Sequence, residues 1–261
     1  MARAAVPGGL SARRAWRDAT LVERRPETAS AVTLVLDVDD WPGHLPGQHV
    51  DVRLTAPDGY TATRSYSVAA PARGGHVELT VQRVPDGEVS TFLADGLAVG
   101  DAVRLRGPVG GWFVWRPEQP EPVLLVAGGS GVVPVMSMLR ARADAAGQAS
   151  GQAAVGPAFR LVYSVRAPED VIYRDELAGL AAAGTVDLRL VHTRTAPEGE
   201  PRPAGRVGEA DLIADGWSAS SAPTVYVCGP TGFVEAVAGL LVGLGHAADR
   251  IRTERFGPSG P

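Results

Sequence analysis

The sequence predicts two domains: an antiparallel β-barrel, then an α/β domain with a parallel, Rossmann-like sheet. Three observations carry that expectation. Short runs of alternating hydrophobicity, cut by Gly, Pro and Asp turns, fill the first half. Apolar runs alternating with helical patterns fill the second. Arg116–Pro122, with three prolines in seven residues, divides them. A length of 261 residues suits two ordinary domains. The expected boundaries are a flexible arm at residues 1–13, the barrel at 14–117, a linker at 118–122, the α/β domain at 123–256 and a tail at 257–261.

Within the barrel, Ala31–Leu36, His49–Leu54, Val77–Val81 and Ala102–Leu105 read as half-buried strands. Pro57-Asp-Gly59 and Pro85-Asp-Gly87 supply turn residues between such strands. Beyond the linker, strands are expected at Val123–Ala127, Phe159–Val165, Val186–His192, Thr224–Cys228 and Arg250–Phe256. Helices fit near Pro134–Ala146, Tyr173–Ala183 and Gly232–Leu244. Ala141–Ala158, rich in Ala, Gly and Gln, reads as a helix end running into a mobile loop.

Composition narrows the function classes. With 45% hydrophobic and 21% charged residues the chain can bury a sizeable core, and a net charge of −4 gives no sign of a nucleic-acid or membrane binder. All 25 basic residues are Arg, as a GC-rich coding bias would produce, which weakens any single Arg as evidence for a phosphate ligand. The one cysteine, Cys228, excludes a disulfide within the chain and leaves no cysteine set for an iron–sulfur cluster or structural zinc. Met1–Trp16 has no apolar signal-peptide core, and no apolar run approaches the ~20 residues of a membrane helix. A cytoplasmic monomer without a metal is expected.

Val123-Leu-Leu-Val-Ala-Gly-Gly-Ser-Gly-Val-Val-Pro134 carries the strongest local signal of the second half. An apolar strand runs into Gly128, Gly129, Ser130 and Gly131, and a helix follows near Pro134. Glycines let the backbone approach a ligand closely. The free N–H groups of a helix N-terminus suit an anion such as pyrophosphate. The run departs from the standard dinucleotide pattern, because Pro134 stands where the third glycine would be. A plain tight turn is the alternative, but a place after the first strand of an α/β half favours a ligand site. The second signal is Arg64-Ser65-Tyr66-Ser67. Arg can pair with phosphate, Tyr can stack on a flat ring and Ser can hydrogen-bond a ring nitrogen. An exposed Arg beside an ordinary strand Tyr is the competing reading.

Taken in order, Arg64-x-Tyr66-Ser67, Gly128-Gly-x-Gly-x-x-Pro134 and Cys228-Gly-Pro230 resemble the ferredoxin–NADP reductase superfamily. Pro46-Gly-Gln48, Gly87-Glu-Val-Ser90 and Gly107-Pro108 agree, and the resemblance runs from about Trp16 to Phe256. It implies FAD, in preference to FMN, on the barrel and NAD(P)H on the sheet. By that resemblance Arg64 contacts the flavin diphosphate, Tyr66 lies against the isoalloxazine, and Ser67 approaches flavin N5, with Ser65 between them. Backbone groups of Val81, Gln82, Arg83 and Val84 and the turn Gly87, Val89, Ser90 and Thr91, including the last two hydroxyls, would hold ribityl and phosphate groups. Gly128, Gly129, Ser130, Gly131 and Pro134 would cradle the nicotinamide nucleotide pyrophosphate. Cys228, Gly229 and Pro230 would sit beside the nicotinamide, with Cys228 orienting it and not acting as a nucleophile.

Glu254-Arg-Phe256 matches an acidic residue followed after one position by an aromatic at the end of the family's last strand. Phe256 would then cover the flavin face that nicotinamide must enter. Thr193-Arg194 and Arg166 stand at strand ends where NADPH-preferring members place a hydroxyl and an Arg around the 2′-phosphate, and Arg202 and Arg206 lie in a loop that could reach. The implied activity moves electrons from NAD(P)H through FAD to a separate acceptor, a ferredoxin or an oxygenase component. NADH against NADPH stays open. So do two alternatives: an electron-transfer subunit or redox sensor without its own turnover, and a reductase of free flavin, ferric complexes or quinones.

Overall fold

The computed structural model describes residues 15–148, 157–213 and 217–257. The expected arm at residues 1–13, most of the loop after the first long helix, and residues 258–261 of the tail lie outside them.

The first half forms six strands: β1 (Trp16–Pro26), β2 (Ala31–Val38), β3 (His49–Thr55), β4 (Thr61–Ser67), β5 (His76–Gln82) and β6 (Ala102–Val109). They pair antiparallel in the order β4-β3-β6-β1-β2-β5, and a bridge from Val68 to Leu79 joins the two ends. The sheet thereby curls into a barrel whose edges meet. Leu21, Leu34, Leu36, Val52, Leu79 and Leu105 fill its interior. A short helix α1 (Glu88–Thr91), continued by a wide turn at Phe92–Gly96, packs Val89 and Leu93 into the same core.

The second half is a five-stranded, fully parallel sheet. Its elements are β7 (Val123–Gly128), α2 (Val132–Gln148), β8 (Phe159–Val165), α3 (Arg174–Ala182), β9 (Asp187–His192), α4 (Glu209–Leu212), β10 (Thr224–Pro230), α5 (Thr231–Gly243) and β11 (Ile251–Phe256). Every residue of β8 is buried, as in a strand covered on both faces. Strand order β11-β10-β7-β8-β9 means the chain leaves β7 on one side and returns on the other. The carboxyl end of β7 is therefore the switch point where open α/β sheets bind ligands. No helix among the described residues is long and apolar enough to cross a membrane.

The two domains share a core. Phe113 and Trp115, at the end of the barrel half, join the hydrophobic cluster of the parallel sheet. Phe113 meets Tyr226 edge-on at 5.3 Å and Trp115 meets Phe159 edge-on at 5.1 Å. The Tyr226 hydroxyl donates to the Val114 carbonyl at 2.9 Å. Residues 113–115 thus pack with the second domain although they precede the expected boundary. Trp115→Ala should cost about 3–5 kcal/mol, the usual cost of emptying a large buried aromatic site. Urea unfolding followed by circular dichroism should show the lower midpoint, with the shared transition splitting as the sheet loses its anchor.

Candidate functional site

Side chains alternate along β4, so Ala62, Arg64 and Tyr66 share one face. Arg64 is exposed and, among the described residues, its guanidinium bonds only the carbonyl of Thr63, at 2.8 Å, which leaves it available to an anion. Tyr66 is partly buried against the barrel core, and burial pushes its hydroxyl up to about 12, so it stays neutral. Ser65 faces the other way, and its hydroxyl donates to Asp51 at 2.7 Å. The carboxylate of Asp51 also receives Arg106 at 2.7 Å. This outer-face bond ties Ser65 to the barrel wall.

The turn after β5 is closed by Ser90, which accepts from the Val84 N–H and donates to the Gly87 carbonyl, both at 3.1 Å. A Cβ on Gly87 would stand 2.5 Å from the Ser90 hydroxyl and 3.0 Å from the Val84 carbonyl oxygen, so a side chain there would push Ser90 out of the turn. Ser90 therefore shapes the loop with its hydroxyl, while Thr91 stays exposed. Val81 and Val89 are buried in the barrel core, so only their backbone can serve a ligand. The Arg83 side chain is held by Asp95 at 3.0 Å. Beyond Ala62, at the end of the barrel, a cleft of about 400 Å³ opens between the β3–β4 hairpin and the outer face of α1, with Tyr60, Glu88 and Phe92 in its walls.

On the sheet, Gly128 ends β7 and Gly129–Gly131 make one 3-10 turn before α2 opens at Val132, two residues earlier than expected. Gly129 has φ +54 and open space where a Cβ would stand. Gly131 is different: its Cβ would lie 2.1 Å from the Cys228 carbonyl oxygen. Backbone therefore touches backbone, and the glycine turn and Cys228-Gly229-Pro230 form one surface. The ring of Phe233 lies under Gly128 and Gly229, where Cβ atoms would stand 2.8 Å and 2.7 Å from it.

Cys228 pairs with Glu254, and Pro230 with Phe256, across β10 and β11. Cys228 is fully buried; burial first, then the charge of Glu254, push its thiol well up, so it is a neutral thiol. Glu254 reaches the other domain. The Ser67 hydroxyl donates to its Oε1 at 3.4 Å, while Oε2 is buried with no partner among the described residues. Burial pushes this carboxyl up to about 7, against the smaller opposing effect of Ser67. Ser67, Cys228, Glu254 and Phe256, read from separate motifs, thus meet at one place.

Thr193, Arg194 and Arg166 come together at the ends of β8 and β9. The Thr193 N–H donates to Val165 at 2.8 Å and the Arg194 N–H to Arg166 at 2.9 Å. Both guanidiniums are exposed, with no carboxylate partner among the described residues. Arg202 instead forms a two-point bridge to Asp211 at 2.6 and 2.8 Å, so its charge is already neutralised. Sequence reasoning missed His49, opposite Ser67 in the β3–β4 register and half-buried, with its imidazole pushed down by burial. The Pro46-Gly-Gln48 motif beside it was the available signal. Phe233 had none, since an aromatic in a helix's first turn looks like ordinary core.

Comparison with known proteins agrees with this geometry. Residues 18–114 match the oxidoreductase FAD-binding domain and residues 125–239 the oxidoreductase NAD-binding domain. The chain belongs to the ferredoxin–NADP reductase superfamily. The superfamily's two-domain fold is seen in the FAD/NAD-binding domain of a nitric oxide dioxygenase from Vibrio cholerae. That structure is 26% identical, with a TM-score of 0.78 over 93% of this chain and 99% of that one. A flavohemoprotein of Pseudomonas putida is 31% identical over 94% of this chain and 60% of its own length. The glycine betaine monooxygenase reductase subunit of Pseudomonas aeruginosa is 34% identical over 83% of this chain and 57% of its own. The chain thus spans about three-fifths of the length of these two relatives.

The residues fit both cofactors. Among the described residues Arg64 has no carboxylate partner, the sheet offers a backbone cradle, and Glu254 presents an unpartnered oxygen between them. Among the described residues no group of three His, Cys, Asp or Glu could hold a metal.

Two variants test the site. Gly131→Ala should raise the Kd for nicotinamide nucleotide roughly tenfold or more while flavin content holds, because backbone on both sides cannot yield. Glu254 gives a pH signature. The folded protein keeps its proton up to about pH 7, whereas an unfolded carboxyl releases it near its ordinary value of 4.5. The folded state therefore loses stability as pH rises between those values and levels off above 7. Glu254→Gln should flatten that slope and be more stable than the parent above pH 7 by up to about 3 kcal/mol, as urea midpoints across pH 5 to 8 would show.

Proposed function

We propose that this chain is an NAD(P)H-dependent flavoprotein oxidoreductase that passes electrons to a separate redox protein such as a ferredoxin or an oxygenase component. The observation that carries this reading is the Ser67–Glu254 contact at 3.4 Å, which joins the barrel strand of Arg64 and Tyr66 to the sheet strands of Cys228 and Phe256. When bound, FAD supplies the redox chemistry, taking an electron pair from the reduced nicotinamide and releasing electrons singly.

The residues supply position, charge and exclusion of water. Arg64 and the first N–H groups of α1 hold the diphosphate. Tyr66 offers its face to the ring system and Ser67 its hydroxyl to the reacting edge. The 400 Å³ cleft past Ala62 receives the adenylate half, which favours FAD over FMN. The glycine turn holds the nucleotide pyrophosphate, and the neutral Cys228 thiol and Pro230 line the nicotinamide position. Glu254 keeps a proton within reach of Ser67 near neutral pH, and Phe256, beside Pro230 at the strand ends, would cover the ring face that nicotinamide must reach. Arg166 and Arg194, both free of carboxylates among the described residues, favour a 2′-phosphate and hence NADPH.

Anaerobic titration of the flavin-loaded protein with NADPH and NADH separately, followed by candidate ferredoxins, tests the reading. Loss of the oxidised flavin spectrum on NADPH addition is expected. A purified protein without a flavin spectrum, or one that oxidises neither nucleotide with ferricyanide present, would sink it. Arg194→Ala should raise KM for NADPH about tenfold, one charge-assisted contact's worth, and leave KM for NADH within about twofold.

A further inference from the structure

We propose that Tyr173 is a positioning residue whose hydroxyl, at the end of a directed chain of hydrogen bonds, fixes the nucleotide domain at one angle over the flavin-binding barrel. The inference rests on the functional reading above for its consequence, but not for its geometry.

Tyr173 sits at the N-cap of α3 with φ +59 and ψ 32, a left-handed conformation that a bulky residue adopts only when its surroundings impose it. It is fully buried, and its hydroxyl leaves its own domain to bond the Thr80 hydroxyl on β5 of the barrel. Thr80 bonds Thr33 at 2.7 Å, and Thr33 donates to Glu27 Oε1 at 2.6 Å. Each hydroxyl has one proton and Glu27 only accepts, so the direction is determined. Thr33 gives its proton to Glu27, Thr80 gives to Thr33, and Tyr173 gives to Thr80. One carboxylate thus orients a relay that ends in the other domain.

A cation locks the same seam. Arg140 of α2 stacks 5.1 Å over the Tyr173 ring and forms a two-point bridge to Glu176 of its own domain, at 2.7 Å for each contact. It also bonds Glu78 and, at 3.0 Å, the carbonyl of Ala69, both in the barrel. These anchors have a consequence for catalysis. Ala69 lies two residues after Ser67, and Thr80 immediately precedes the Val81–Val84 segment assigned to the flavin. The helix behind the glycine turn is thereby tied to both barrel segments that carry the flavin, and the approach of two reacting rings tolerates little misplacement.

Removing single oxygens tests it. Thr80→Val strands the buried Tyr173 donor, whereas Tyr173→Phe leaves only an unused lone pair on Thr80, so the first should be worse. The double variant should then recover part of the loss, and Thr80→Ser should behave like the parent. With spin labels at Asp39→Cys on the barrel and Ala236→Cys on α5, Cys228 being buried, Thr80→Val should broaden the interdomain distance distribution. In the flavin-loaded protein the nicotinamide–flavin charge-transfer absorbance should weaken, and the flavin reduction rate should fall roughly tenfold for Thr80→Val and about threefold for Tyr173→Phe, with flavin affinity unchanged. Distance distributions as narrow as the parent's would overturn the proposal. So would a broadened distribution with unchanged absorbance and rate. A parent protein that binds flavin yet oxidises neither nucleotide would instead overturn the functional reading, while the distance distribution still decides the seam.

Discussion

The proposed site draws on both domains, so everything depends on the seam that keeps them in register. The barrel contributes Arg64, Tyr66 and Ser67; the sheet contributes the glycine turn, Cys228, Glu254 and Phe256. Among the described residues, a 3.4 Å hydrogen bond from Ser67 to Glu254 is what joins the two sets directly. That single long hydrogen bond is too weak to hold two domains. The work is done elsewhere, by Phe113 and Trp115 in the sheet's hydrophobic cluster and by Arg140 against Glu78, Ala69 and Glu176. Apolar insertion supplies adhesion without direction, and the polar cluster supplies direction.

The charges at the seam show how burial can be made tolerable or left unresolved. Arg140 is largely buried, which alone would weaken its hold on its proton, yet the bonds to Glu176 and the charges of Glu78 and Glu176 raise its pKa instead. It remains a cation because Glu78, largely buried with it, and Glu176, at the surface beside it, supply opposite charge. Glu254 has no such compensation. Among the described residues its one donor is a hydroxyl and its second oxygen has no partner, and it responds by keeping its proton to about pH 7. Among the described residues Trp115, Ser137, Arg160 and His192 also bury an unpaired polar atom, but Glu254 is the one that faces the other domain through Ser67.

Much of this was legible in the sequence. The β7 and β8 strands, the three long helices and the glycine turn lie within two residues of where periodicity and the strand–turn–helix pattern put them. Two barrel strands were not among the alternating runs, for physical reasons. In β1 a bulge between Leu21 and Glu23 breaks the alternation. In β4 the alternation is masked, because Thr61, Thr63 and Ser65 line the outer face while the exposed Arg64 stands between Ala62 and Tyr66 on the other. Ser65 and Ser90 show the limit of motif reading: their hydroxyls bond Asp51 and the Gly87 turn, which no motif announces. The relay from Glu27 to Tyr173 was illegible, since its members are scattered from residue 27 to residue 173 and only the fold assembles them.

The unpaired oxygen of Glu254 and the fully paired relay of Tyr173 describe opposite uses of burial on one interface. A relay whose every proton is assigned has one low-energy arrangement, so it resists sliding and suits alignment. A carboxyl with an unused oxygen can accept a new partner without breaking an old bond, so it suits an event that recurs in every cycle. If the relay were loose and Glu254 were satisfied, the domains would drift while the site stayed closed to its ligand. Rigidity therefore sits one layer behind the chemistry, on β5 and α3, and adaptability sits at the strand ends, where Ser67, Glu254 and Phe256 meet.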